Sequence, residues 1–335
     1  MKVNRAEILR QLEACSPGLS NTDNIEQANC FMLTPGRIVT FNDEICCTHD
    51  TTLTLTCAVP AKPLLETLRK LSEDEVDIEY KEDRLLLKCA NVRKIGINVH
   101  ADVVSHAEAV EPPGEWIDVP PVFADALAMV AEAAAKESDQ FSLCCVQISP
   151  NGMQATDSFQ AIRYKLPCPV TKNILVKKTA CAAVNGLGIA CMSETPNWVH
   201  WKTYTGLQVS VRKYAEEFPD LGEIFRADSV GTLRFPHSLI DSLQKAAAFL
   251  ADTGSGKQAV LRLKTNKLMI RGQNENGFYE EIRDIAYDGP SISFGINPKY
   301  VQTLLKHDYP CNLTDSALRI RGESFSYITS KENVL

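Results

Sequence analysis

Apolar residues along this chain fall into two alternating spacings. Stripes that recur every three to four residues predict helices, and short period-two runs predict strands. The first stripe, Ile8, Leu9 and Leu12, predicts a helix over residues 5–15 after a short strand at 1–3, with Asn4 and Glu7 as a capping pair. The same opening returns at residues 116–119 running into 121–136, where Phe123, Leu127 and Val130 form the stripe. It returns again at 233–235 running into 236–250, with Leu239, Ile240 and Leu243. The three openings lie about 115 residues apart, a domain-sized period. A second helix follows in each period. Leu64, Leu65 and Leu68 mark one over 60–71, and Val301, Leu304 and Leu305 mark another that starts at Asn297-Pro298 by the cap-then-proline rule. In the middle period residues 177–188 contain Asn185-Gly186, which predicts a short or bent helix. Hairpins close the outer periods at 77–80 with 85–88 and at 317–320 with 324–328.

These elements predict an α+β chain of three repeated domains, 1–113, 114–226 and 227–335, each with two helices packed on antiparallel sheets. Boundaries fall at Glu111-Pro112-Pro113-Gly114 and near Arg226-Ala227-Asp228-Ser229. Domains of this kind leave strand edges, and unpaired edges invite aggregation, so strands are expected to pair edge to edge across the borders.

Composition removes several classes of function. With 44% apolar and 23% charged residues the chain of 335 is globular. Its amino-terminal stretch lacks an apolar signal core, and no run reaches the roughly 18 apolar residues of a spanning helix, so no membrane partner and a cytoplasmic location are expected. The twelve cysteines contain no C-x-x-C, and the adjacent pairs Cys46-Cys47 and Cys144-Cys145 would point to opposite strand faces; buried reduced thiols are expected, with no metal. The six histidines show no ligand spacing. Gly254-Ser255-Gly256-Lys257 follows a helical stretch and precedes a strand, the reverse of the order a phosphate cradle needs. No catalytic motif occurs, and neither Glu216-Glu217 nor Glu280-Glu281 suggests a working carboxylate pair; the expectation is no enzyme and no cofactor. An α+β enzyme with unrecognised acidic groups is the alternative from a different class.

Charge is unevenly distributed. The six predicted helical segments carry +5 in a chain whose net charge is −7. If they lined one concave surface, Lys62, Arg69, Lys70, Lys172, Lys177, Lys178, Lys245, Lys299 and Lys306 would face a common space. Lysines without interleaved aromatics suit phosphates and not bases. Ordinary solvated helix faces account for the same residues.

The stretch Thr156-Asp157-Ser158-Phe159-Gln160-Ala161 ends an apolar hairpin, and Phe218-Pro219-Asp220 begins a loop that can bring Ile224 alongside. A shallow apolar notch made this way suits a short partner peptide. Thr and Asp also cap hairpins for purely structural reasons.

The motifs Val59-Pro60-Ala61-Lys62, Leu85-Leu86-Leu87-Lys88, Ala155-Thr156-Asp157, Glu217-Phe218-Pro219-Asp220, Asn297-Pro298-Lys299-Tyr300-Val301 and Leu313-Thr314-Asp315-Ser316 occur in this order along the chain. Together they resemble one family, the bacterial DNA polymerase III beta sliding clamps. The resemblance covers nearly the whole chain and implies the DNA clamp fold: a head-to-tail homodimer closing a ring, helices inside and sheets outside. It implies a processivity factor that encircles duplex DNA without sequence preference, with a polymerase and a clamp loader as partners through short peptide motifs. Carried over by position, the peptide notch would use Leu143, Thr156, Ser158, Phe159, Gln160, Ala161, Ile224 and Ile328, the nine basic residues above would face DNA, and Ile95 and Ile97 would lie at the dimer interface. The sequence departs from the family at Ser158-Phe159-Gln160-Ala161, where the pattern is Gly-His-Arg-Leu, and in its polar tail from Thr329 to Leu335. A clamp-like paralogue binding a different or competing partner would also carry such changes.

Overall fold

The computed structural model describes residues 1–20, 25–89, 93–104, 109–226, 229–250, 252–253, 256–306 and 309–333. His106, His307, Ala227-Asp228 of the second expected boundary, Gly254-Ser255 and Val334-Leu335 lie outside them. The chain forms two compact units: Met1–Ala128 with Gln147–Asn151 and Pro167–Glu216, and Met129–Val146 with Gly152–Leu166 and Glu217–Leu335. Every strand pairing described below is antiparallel.

In the first unit the helix α1, Arg5–Cys15, is capped as its sequence predicts: the Asn4 side chain accepts from the Glu7 amide, while Ile8 and Leu12 are buried. It packs beside α2, Ala61–Lys70, which buries Leu64, Leu65 and Leu68. A four-stranded sheet runs Lys2–Asn4, Glu75–Lys81, Arg84–Cys89 and Arg93–Asn98 in that order, so Arg93–Asn98 is an edge. The turn between the second and third of these places Glu82 and Asp83 at φ 53° and 55°, where a charged turn rather than glycine makes the reversal.

The second sheet of this unit joins strands from different sequence repeats. Gln208–Tyr214 pairs with Trp198–Thr203 on one side; on the other, its residues 208–211 pair with Ile45–Asp50 and residues 213–214 with Ile174–Lys177. The pairing of Ile45–Asp50 with Gln208–Tyr214, segments about 160 residues apart, is reinforced where Lys177 bonds Glu44 and Arg212 donates to the Asp43 carbonyl at 2.9 Å. Trp198 is buried against Phe41 and under the Arg212 guanidinium, which lies 4.9 Å from its ring.

The middle-period helix is shorter than the spacing suggests. Ile174–Lys177 is a strand, and only Lys178–Ala183 is the helix α4, after α3 at Phe123–Glu132. The run Ile174-Leu175-Val176 is buried and takes the ladder, while Gly186 at φ 73° ends the turn that follows. Lys172 and Lys177 are consequently not helical residues.

The second unit contains the sheet Gly152–Thr156, Gln160–Lys165, Phe325–Ser330, Ala317–Arg321, Cys311–Leu313 and Gly231–Leu233, in that order. A five-stranded sheet begins at the edge strand Gly277–Asp284 and continues through Lys267–Asn274, Ala259–Lys264, Ile292–Ile296 and Glu332–Asn333. The helices α5, Leu239–Ala246, and α6, Pro298–Leu305, pack together, and α5 lies on the two strands at that edge. Buried Leu239, Leu243, Val301 and Leu304 supply their contact faces.

Candidate functional site

The notch is assembled from two turns of the same sequence, Thr-Asp-Ser, in the second unit. In the first, Thr156 Oγ1 donates to the Gln160 carbonyl at 2.7 Å, and the Asp157 carboxylate accepts from the Phe159 and Gln160 amides at 3.0 and 2.9 Å. In the second, Thr314 Oγ1 donates to the Ala317 carbonyl at 3.2 Å. Both Thr side chains are turned inward, 4% and 2% exposed, which leaves the loop tips to form a rim. The pairing of Gln160–Tyr164 with Phe325–Thr329 brings the turns side by side, and the Ser330 amide donates to the Phe159 carbonyl at 2.7 Å.

Between the turns lies a depression of about 230 Å³. Its floor is Ile328 and Ala317, its lip is Ile224, and its rim carries Phe159, Ser158, Ser316 and Ser330. Behind the floor, Ala161, Leu221, Phe225, Ala317 and Ile328 form one apolar cluster, with Phe218 packed against it. The loop that begins Phe218-Pro219-Asp220 thus delivers Ile224 as the sequence suggests. Ile224 and Phe159 are each 41% exposed, so apolar surface remains available to a visitor. A space this small accepts one or two side chains rather than a cofactor.

Polar groups beneath the rim hold it rigid. Gln160 is 4% exposed; it donates to Asp157 at 2.9 Å and accepts from the Tyr327 hydroxyl at 2.9 Å. The Tyr300 hydroxyl reaches Asp157 at 3.4 Å, and burial together with that carboxylate pushes its phenol well up. Burial does the same to Tyr327. Both phenols therefore stay protonated as donors at any physiological pH.

No family model matches the chain, and no curated protein matches it. Solved structures do. The beta chain of DNA polymerase III from Streptococcus pneumoniae TIGR4 superposes with a TM-score of 0.84 at 14% identity, covering 99% of each chain. A DnaN sliding clamp (DNA polymerase III subunit beta) from Pseudomonas aeruginosa, bound to griselimycin, gives 0.82 at 13% identity, over 100% of this chain and 99% of that one. A DNA polymerase sliding clamp from Bacillus subtilis gives 0.81 at 14% identity, over 100% and 99%. The chain has the sliding-clamp fold.

On this clamp fold, six of the eight residues assigned to the notch line it: Thr156, Ser158, Phe159, Gln160, Ile224 and Ile328. Ala161 sits in the cluster behind the floor, and Leu143 is buried in the short 3-10 turn Phe141–Cys144 and does not line the depression. Thr314, Ser316, Ala317 and Ser330 complete the wall and were not foreseen; the repeated Thr-Asp-Ser was the signal that pointed to them.

The basic residues are less uniform than the sequence suggests. The observed helices carry a net +2, against the +5 of the predicted segments, which also held Lys136, Lys172, Lys177, Lys306 and Asp308. Lys62, Arg69, Lys70, Lys245 and Lys299 are exposed helix residues, and Lys178 opens α4. At least four of the nine are engaged with acids: Arg69 with Glu13 at 2.9 Å, Lys70 with Glu66 at 3.9 Å, Lys177 with Glu44, and Lys306 with Glu132 at 2.9 Å. Ile95 and Ile97 do lie on the edge strand Arg93–Asn98, but Ile97 is 7% exposed and belongs to its own sheet's core, while Ile95 is half-buried.

Eleven of the twelve cysteines are buried and Cys191 is half-buried; none is in a disulfide. Burial drives Cys46 and Cys57 up to about 11 and Cys47 up to about 12, so they are not nucleophiles. Glu216-Glu217 lies in a loop, and Glu280-Glu281 lies on the strand Gly277–Asp284, where the two side chains take opposite faces. Among the described residues no cluster of His, Cys, Asp and Glu could hold a metal ion, and no helix is long and apolar enough to cross a membrane.

Proposed function

We propose that the chain is a DNA sliding clamp, a non-catalytic processivity factor that encircles duplex DNA and tethers a polymerase through a short peptide in the notch. The observation that carries this is the full-length match to sliding clamps, with TM-scores above 0.80, combined with a peptide-sized apolar depression at Ile224, Ile328 and Phe159. Three domains, 1–113, 114–226 and 227–335, and a head-to-tail dimer complete the reading. Two sheet edges support the dimer. Arg93–Asn98 exposes Arg93 and Lys94, whereas Gly277–Asp284 exposes Phe278 and Ile282 at 62% each beside Glu280 and Asp284. Opposite charge and unpaired strand edges suit ladder formation between protomers. Exposed lysines that touch phosphates without ordered base contacts suit sliding. Buried thiols fit a reducing, cytoplasmic setting.

Loading onto nicked circular DNA by a clamp loader tests this directly. The protein is expected to co-elute with the circle and to be lost once the circle is cut. A protein that stays monomeric at micromolar concentration and is never retained on the circle excludes the clamp reading.

A second reading is a clamp-like protein that serves a different or competing partner, favoured by the rim, where Ser158, Phe159, Ser316 and Ser330 surround the depression. Binding of an ordinary clamp-binding peptide that disappears in Ile224→Asp favours the first reading; refusal of that peptide by a dimeric ring favours the second.

A further inference from the structure

Along the same face of the notch sheet, a second depression of about 380 Å³ lies one step down the strands. Side chains alternate across a strand, so Ala161, Arg163 and Lys165 share one face, as do Ala317 and Arg321 two strands away across Phe325–Ser330. The register sets Ala161 opposite Ile328 and Arg163 opposite Ser326, while Ser326 also faces Arg321. The face therefore passes from apolar to basic over roughly 7 to 14 Å of strand. Arg163, Lys165, Arg226 and Arg321 surround the second depression, with Glu323 as the acid among its lining residues.

The two depressions share one divider. Phe225 walls the basic cavity while its neighbour Ile224 is the lip of the notch. The Phe225 ring lies 4.8 Å from the Arg163 guanidinium carbon, and its carbonyl accepts from Arg319 and Arg321 at 3.0 and 3.3 Å. Arg163 is further fixed by two bonds to Gln154, at 3.0 and 3.1 Å. Of these arginines, Arg163 and Arg321 line the cavity and are thus oriented before any ligand arrives, which favours carboxylate recognition, while Arg319 is buried behind it.

We propose that this cavity takes Asp or Glu side chains of the same partner peptide whose apolar residues enter the notch, two to four residues away along an extended chain. The inference rests on the notch being a peptide site. Carboxylates fit better than a nucleic-acid backbone because the basic residues surround one bounded depression walled by Phe225, which takes one or two anions beside the notch rather than a continuous row of phosphates. In addition, Glu223 bonds the outermost arginine, Arg226, at 2.7 Å.

The test uses the full-length protein and fluorescence anisotropy at low salt. The probes are a labelled clamp-binding pentapeptide, the same peptide extended at either end by Asp-Glu-Asp, and a single-stranded oligonucleotide. The variant is Lys165→Glu with Arg321→Glu, two exposed positions outside the apolar cluster, in which Arg319 still donates to the Phe225 carbonyl. One extension is expected to tighten binding on the order of tenfold, the double variant to remove that gain, and 0.5 M salt to remove it in the native protein. The unextended peptide should bind native and variant protein equally. Extensions that bind no better than the pentapeptide, or a gain that survives the double variant, overturn the proposal; so does an oligonucleotide whose binding, and not that of the peptides, depends on Lys165 and Arg321. If the pentapeptide itself fails to bind, the notch reading fails, and the comparison of extended peptides on native and variant protein still decides the role of the basic cavity.

Discussion

Ser158 occupies backbone space that usually belongs to glycine. Its φ is 76°, at the position where the clamp pattern has Gly, so this chain keeps the turn and carries the strain of a side chain there. The Thr156 hydroxyl accepts from the Ser158 amide at 3.1 Å and helps hold it. Ser158→Gly is expected to raise stability by up to about 1 kcal/mol in urea unfolding, the relief being partly offset by a freer unfolded chain, while Ser158→Val lowers it by about 1–2 kcal/mol. Asp157 joins two amides, the Gln160 side chain and Tyr300, so Asp157→Ala should cost about 1–3 kcal/mol and blunt peptide binding together with it.

A second residue links the fold to pH. His200 is fully buried between Ser210 Oγ at 2.8 Å and Thr195 Oγ1 at 3.2 Å, and burial, the largest influence, lowers its pKa to about 4. The folded pKa lies below the unfolded value near 6.5, so the unfolded chain takes up the proton first. The stability contributed is complete above pH 6.5 and is lost as pH falls toward 4. Unfolding by urea should show about 2 kcal/mol less stability at pH 5 than at pH 7 from this group. Equal stability at the two values would show that the folded ring titrates like the unfolded one.

At the scale of elements, what could be read from sequence depended on whether the deciding interactions are local. The capped helix α1, the stripes of α2, α5 and α6, and the Thr156-Asp157 turn rest on contacts within a few residues, and the structure has them. The segment from Lys172 to Lys177 could not be assigned from sequence, because a buried three-residue apolar run flanked by lysines has no period long enough to separate strand from helix. The far wall of the notch and the basic cavity stayed hidden for another reason: Thr314, Ser330, Arg163, Arg226 and Arg321 meet only through strand register between segments some 165 residues apart. The edge strand Gly277–Asp284 supports a prediction of its own. Ile282→Asp, at a side chain 62% exposed, should leave the protomer folded and weaken the proposed dimer by at least tenfold in analytical ultracentrifugation. An unchanged dimer would place the interface elsewhere.

For the whole molecule, the proposed function depends on topology more than on affinity. Helices carrying only +2, with at least four of nine candidate cations already paired, would bind DNA weakly as an open surface. Charge-reversing both Lys62 and Lys299 should therefore slow loading and raise salt sensitivity while leaving retention on a closed circle within about twofold, because enclosure outlasts individual phosphate contacts. Loss of retention in step with loss of charge would indicate adhesion.

The sheltered sulfur atoms carry a last consequence. A native protomer gives oxidants almost nothing to attack, since eleven thiols are out of reach and Cys191 is only half accessible. The nascent or denatured polypeptide, by contrast, displays a dozen partners for random crosslinking. Recovery from denaturant should require a reductant that the finished protein can do without, so that vulnerability to oxygen is confined to the moments before folding is complete.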